Sequence, residues 1–348
     1  MKNKNFWLPI ITLVCCLTLG TLLFLQDRQV YSESSYRVVM GTFAKILVTA
    51  KNEKQAKDCI EAGFAQIRLV ESLMSDYKSD SEISRVNANA FKEPVRVSDA
   101  TFEVLQKSIE HSKISDGAFD ITVGPLVELW RKAGDSNTVP SAEELSKIAE
   151  KVGFEKLLLD NETKSVRFMV EGMKLDLGAI AKGYSIDKAV EAMKANGAVS
   201  GMVDIGGDIR CFGKPADREN WIIGLQDPSK PEEFIDTGKS LLVIKLTDEA
   251  VATSGDYQRF VTVGGKKHSH IIDRKKEDGA ESLSSVTIIA KTAIDADALA
   301  TTVSVLGAEK GLKLIEDTPD VEAILITSGP EYKMIKTNGA DRFIKKSD

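Results

Sequence analysis

The feature that most restricts the fold is a change of hydrophobic period close to Phe154. Before it the apolar residues mostly follow a helical rhythm: Ile60, Phe64, Ile67 and Met74 fall near helical spacing, just after a loosely alternating stretch, Val38 to Val48, that predicts a strand. Ser79 with Glu82, and Ser141 with Glu144 after Pro140, read as capping boxes, while Asp116-Gly117 and Gly153 read as helix stops. After Phe154 the chain breaks into short β-rich runs at 157–159, 166–170, 202–205, 221–225, 241–246 and 286–290. Only two helices are expected among them, Ala181 to Asn196 ending at Gly197 and Ala293 to Leu306 ending at Gly307. Asp160-Asn161 sits at hairpin spacing, which argues against a purely parallel sheet. The expectation is an α+β fold of mixed, largely antiparallel sheets with flanking helices, without internal repeat, low-complexity tract or interdomain linker.

From Phe6 to Leu25 the chain carries no charge for about twenty residues, the length of a bilayer-spanning helix, with Lys2 and Lys4 before it. Positive charge on the short N-terminal side predicts that everything after Asp27 lies outside the cytoplasmic membrane, on its periplasmic face. Residues 1–26 are read as an anchor or signal segment, 27–36 as a polar tether and 37–348 as one domain. No small-x-small cleavage site follows the apolar run, and Leu13-Val14-Cys15-Cys16 only loosely resembles a lipid-attachment box, so retained, lipidated and cleaved forms all stay open. Acidic residues outnumber basic ones, 52 to 46, and no Lys/Arg cluster of nucleic-acid-binding size occurs, which sets nucleic acid aside. Beyond the apolar run only Cys59 and Cys211 remain, too few for a disulfide framework or a cysteine-built metal site.

Chemistry concentrates in a few glycine- and acid-rich stretches far apart in sequence. Asp176-Leu177-Gly178-Ala179-Ile180-Ala181-Lys182-Gly183-Tyr184 is a small-residue turn entering a helix with a lysine in its first turn, a place suited to a phosphate. Its bland alternative is a tight turn with a solvated lysine. Gly206-Gly207-Asp208 would let a ligand approach the backbone or would simply be a bend, and Thr253-Ser254-Gly255-Asp256-Tyr257 offers two hydroxyls and a carboxylate. Asp297 and Thr301 lie four apart on one helical face, a carboxylate and a hydroxyl fit for Mg²⁺, whereas Asp295 points elsewhere. The pair could equally belong to an ordinary amphipathic helix, but its surroundings are apolar and a buried carboxylate needs a partner. Of three histidines, His268 and His270 alternate as on a strand edge, His111 is read as incidental, and His270 is the general-base candidate.

Taken in order, Met40-Gly41-Thr42, Ser75-Asp76-Tyr77 with Ser81-Glu82-Ile83, Asp116 to Thr122, Asp176 to Tyr184, Gly206 to Asp208, Thr253 to Tyr257, His270 to Asp273 and Asp297 to Thr301 resemble the successive motifs of the ApbE family. That resemblance implies a T-fold-related architecture and transfer of FMN from FAD to a Thr/Ser hydroxyl of an exported acceptor protein, releasing AMP. It further implies Mg²⁺ held by Asp297, Thr301 and the Ala179 carbonyl, with Lys182 and His270 as catalytic residues. The implied flavin pocket draws on Met40, Tyr77, Ala118, Phe119, Asp120, Asp176, Lys182, His270 and Ile271. Departures are Arg274 where the family usually has proline, Asp204 where asparagine is usual, and Ala179 where glycine is common. The rival functions are an FAD pyrophosphatase and a non-catalytic flavin-binding protein; a solute-binding lipoprotein is disfavoured by the clustered motifs.

Overall fold

The computed structural model describes residues 29–230, 238–255, 260–269, 271–329 and 332–345. The apolar segment 1–26, His270, Asp256 and Tyr257 lie outside them. Nine strands build the main sheet: β1 (Val30–Glu33), β2 (Arg37–Val39), β3 (Thr42–Ala50), β4 (Ser200–Ile205), β5 (Asp208–Phe212), β6 (Ala250–Gly255), β7 (Leu283–Ala290), β8 (Glu322–Thr327) and β9 (Met334–Lys336). They run β1-β3-β4-β5-β6-β7-β8-β9, with β2 also on β3, and the pairings are antiparallel. Seven helices accompany them among the described residues: α1 (Glu53–Met74), α2 (Glu82–Asn89), α3 (Asp99–Ile114), α4 (Gly124–Ser136), α5 (Ala142–Ala149), α6 (Ala181–Ala195) and α7 (Ala293–Glu316). The α+β expectation holds.

The period-2 alternation of β3 turns Ala44, Ile46 and Val48 to one face, where they pack with Ile60 and Phe64 of α1, Val190 and Met193 of α6, and Leu299 and Val303 of α7. The opposite face, with Ile209, Val251 and Ile289, is covered by Trp221, Ile223 and Leu246 of a small hairpin, Trp221–Leu225 with Leu242–Leu246. Because both faces are covered, all of β7 is buried, including Ser284, Ser285 and Thr287. A second core, built from α2, α3 and a three-stranded sheet around Val166, contains Phe102, Phe119 and Met173 and reaches Tyr184, Ile294 and Ala298. The first turns of α6 and α7 therefore lie where the two cores meet.

Several local expectations need correction. The single strand read over 38–48 is a hairpin: Met40 (φ 48°) and Gly41 (φ 70°) are both left-handed and turn β2 back onto β3. The stretch read as a tether already contains β1, whose alternately exposed, largely polar side chains hide it; the sheet begins at Val30, ahead of the Arg37 start that was expected. Ser81, not Ser79, caps α2 by accepting from the Ser84 amide, and Glu82 instead takes hydrogen bonds from Ser98 and Thr101. The Ser141-Glu144 box forms as read. Gly307 does break α7 (φ 76°, ψ 178°), but a helix resumes beyond it to Glu316.

Candidate active site at a crossing of two helices

Gly183 makes the site possible. A Cβ there would lie 2.7 Å from the Ile294 Cα and collide with the Ala293 carbonyl, so only glycine lets α6 and α7 approach this closely. Once they meet, Asp187 of α6 accepts hydrogen bonds from the first amides of α7, Ala293 N at 2.9 Å and Ile294 N at 3.0 Å, and pairs with Arg210 at 2.6 Å. Thr292 caps the same helix through the Asp295 amide. The helix start is thus locked on every side, and Asp297, one turn in, is aimed back at α6.

Asp297 is 4% exposed, and its Oδ2 accepts the Gly183 amide at 2.9 Å. In a regular helix that amide would point at the Ala179 carbonyl; the neighbouring amides of Ala181 and Tyr184 do turn back, to Leu177 and Ile180. The diversion leaves the half-buried Ala179 carbonyl available at the mouth of the turn. Lys182 donates to Asp208 Oδ2 and lies 3.8 Å from Asp297 Oδ1, and Asp208, 2% exposed, also accepts the Thr253 amide at 3.2 Å. Three buried carboxylates, Asp187, Asp208 and Asp297, thus face two cations, Lys182 and Arg210. Burial pushes the Asp297 carboxyl up to about 6, with Asp208 and Asp187 adding to the rise and Lys182 and the Gly183 amide opposing it. Among the described residues the buried carboxylates outnumber the cations beside them, and Asp297, with the half-buried Thr301 four residues on along the same helix and the half-buried Ala179 in the turn before α6, offers oxygen donors of the kind that fit a hard divalent cation.

The ApbE family model matches residues 40–325. The chain belongs to the ApbE family. It is 31% identical over 304 residues to an FAD:protein FMN transferase of Klebsiella pneumoniae, covering 87% of this chain and 91% of that one. It is 32% identical over 341 residues to one of Treponema pallidum, covering 94% and 92%. The solved ApbE protein of Thermotoga maritima superposes with a TM-score of 0.79 at 30% identity, covering 91% of this chain and 100% of that one. The ApbE flavin transferase of Vibrio cholerae gives 0.76 at 30% identity, covering 91% and 99%.

The remaining residues that the ApbE resemblance singled out fall into two groups. Ala118 and Ile271, more than 150 residues apart in sequence, meet in one apolar cluster with Ala280 and Val305, and Val305 is one helical turn beyond Thr301. Met40 closes the other side through its sulfur, which accepts the Ser185 hydroxyl at 3.3 Å. Asp176, its carboxyl raised by burial, and Asp76, raised by burial and by Asp176, line a cleft of about 310 Å³ together with Arg131 and Lys174. Tyr77 stands 81% exposed near it, with the Arg131 guanidinium 5.8 Å from the ring. By contrast, Phe119 is a core side chain tilted against His111, so only its main chain can face a ligand. Asp120 is spent on structure, accepting from the Thr122 amide and hydroxyl, the Phe154 amide and Arg274.

Sequence reasoning noted Asp208 without assigning it and missed Asp187 and Arg210, since a polar residue within a helix or strand carries no local mark of a partner on another element, 23 residues away for Arg210 and Asp187 and over a hundred for Asp187 and the start of α7. His111, read as incidental, is buried and bonds Asp295 at 3.1 Å; burial raises that carboxyl, but the bonds from His111 and Thr292 outweigh it and leave it lowered.

Proposed function

We propose that this chain is an FAD:protein FMN transferase that uses Mg²⁺ to move FMN from FAD onto a Thr or Ser hydroxyl of an exported acceptor protein. The flavin-transferase class rests on family membership. The metal dependence is supported by the Gly183 amide being drawn onto Asp297, because that contact holds a buried carboxylate against the turn that carries Ala179.

Asp297, Thr301 and the Ala179 carbonyl would hold the cation, whose contribution is to neutralise charge on the FAD pyrophosphate. Lys182, steered by Asp208, places a further positive charge at the start of α6, where the positive end of the helix dipole also favours phosphate. The acceptor hydroxyl oxygen attacks the FMN-side phosphorus and the pyrophosphate P–O bond breaks. AMP leaves, and His270 or a neighbouring carboxylate takes the hydroxyl proton. The Phe6–Leu25 run would keep the enzyme on the periplasmic face of the membrane, where exported proteins pass.

The test is to incubate the full chain with FAD, Mg²⁺ and an exported-protein fraction, with and without EDTA. Intact-mass spectrometry then seeks a phosphoester-linked FMN on Thr or Ser. Chelator-sensitive labelling with AMP release supports the proposal. Free FMN and AMP without labelling would make the chain a pyrophosphatase, and FAD retained intact would make it a flavin-binding protein. Protease added to intact spheroplasts should digest the domain; full protection would refute the periplasmic placement.

A further inference from the structure

Arg274 sits in a four-residue turn between two short strands, Ile272–Asp273 and Asp278–Gly279. That turn is fastened independently of Arg274: the Asp273 carboxylate accepts the Lys275 amide at 2.9 Å, Trp130 Nε1 donates to the Glu277 carbonyl at 2.9 Å, and His268 bonds Asp278 at 2.8 Å. The Arg274 side chain reaches out of the hairpin to a different part of the chain. Its Nη1 donates to Asp120 Oδ2 at 2.7 Å and lies 3.2 Å from Glu155 Oε2, and its guanidinium stands 5.3 Å from the Phe154 ring. It also packs flat over Gly117 (φ 73°), where a Cβ would come within 2.7 Å of its Cζ.

Asp120 accepts from four donors, Arg274 and three others that come from Thr122 and Phe154. Of these donors only Arg274 belongs to the hairpin, and next to it the exposed Lys275 Nζ pairs with Asp116 at 2.7 Å, so Arg274 supplies the buried tie between loop and hairpin and Lys275 a solvent-exposed one. The two segments it joins carry Ala118 and Ile271, which meet against Val305. The Ile271 carbonyl is held in the same hairpin by the Ala280 amide at 2.8 Å.

We propose that Arg274 is a positioning residue that fixes the Ala118 loop and the Ile271 strand in register, so that together they shape the flavin end of the substrate site. The inference rests on the flavin-transferase reading above. Removing the guanidinium leaves Asp120 with three donors and the hairpin with its other fastenings, so the fold survives while the register loosens. Lysine, with a point charge in place of a planar fork, restores the Asp120 contact but not the simultaneous reach to Glu155 and Gly117.

The test is calorimetric titration of the full chain with FAD in Mg²⁺, comparing wild type, Arg274→Ala, Arg274→Lys and Glu155→Gln, with Tm measured for each. The expected result is a roughly tenfold weaker FAD affinity for Arg274→Ala, about threefold for Arg274→Lys and little change for Glu155→Gln, with Tm lowered in Arg274→Ala, where the buried Asp120 loses its charged partner, and close to wild type in the other two. FAD affinity unchanged in Arg274→Ala, or lost only in proportion to a fall in Tm, overturns the positioning role while leaving the transferase reading intact. A wild type that does not bind FAD overturns both.

Discussion

At the crossing of α6 and α7, three carboxylates are buried beside two cations among the described residues, whereas at the tip of the 272–279 hairpin each of Arg274, Lys275 and Lys276 has its own carboxylate partner, with Asp120 and Asp273 buried and Asp116 exposed. The first arrangement leaves more buried negative charge than its cations match, while in the second every cation is matched one to one, and only the exposed Lys275–Asp116 pair is nearly neutral in cost. A fold retains surplus buried negative charge only where something else completes it. On the proposed reading, that contrast separates a place that receives a cation from a place that aligns two segments.

The comparison breaks most visibly at Asp297. Asp297→Asn keeps the size and the Gly183 contact but removes the charge, and should lower FMN transfer by roughly 10²–10³-fold in an initial-rate assay. An unchanged rate would mean that the crossing is not the catalytic centre. Next in size is Gly183→Ala, which drives a methyl into the Ala293 main chain and should cost about 3 kcal/mol in urea unfolding.

A smaller effect concerns pH. The native Asp297 carboxyl is raised to about 6 from 3.8, so between those values the folded state holds a proton that the unfolded state has lost. Stability without metal must then fall as pH rises through that window, and the loss stays complete above it. Asp297→Asn escapes this penalty, so metal-free variant should be more stable than wild type at pH 7, by roughly 1–3 kcal/mol, and equal to it below about pH 4. Added Mg²⁺ should close the gap at pH 7. Smallest of all, Lys275→Ala removes an exposed pair with Asp116 and should leave Tm and transfer rate unchanged at any salt concentration. A clear effect there would show that the hairpin tip carries more than alignment.

Legibility in the sequence followed the same division. Asp297 and Thr301 were readable because helical spacing puts them on one face, and Lys182 because a small-residue turn announces a helix start. Six strands after Phe154 were readable from apolar runs, Trp221–Leu225 to the residue, but Asp208–Phe212 and Glu322–Thr327 were not, and Thr253 to Gly255, read as a polar turn, belong to β6; Gly197 and Gly307 marked real breaks. What stayed hidden depends on contacts across the chain. Asp187 looks like any helical aspartate until α7 arrives beside it, and Phe119 shares its motif with pocket residues yet turns into the second core. β1 was missed because an edge strand with alternate exposed side chains shows no apolar run. Arg274 registered only as a departure from the family's proline, with nothing in its own neighbourhood to point toward Asp120.

The central claim is that Asp297, Thr301 and the Ala179 carbonyl grip one cation beside Lys182. Crystals soaked in Mn²⁺ as a stand-in, with data collected at the manganese edge, test it directly. The account predicts a single anomalous peak within about 2.0–2.4 Å of those three oxygens, absent in Asp297→Asn. A peak elsewhere, or none at this crossing at saturating Mn²⁺, would contradict it.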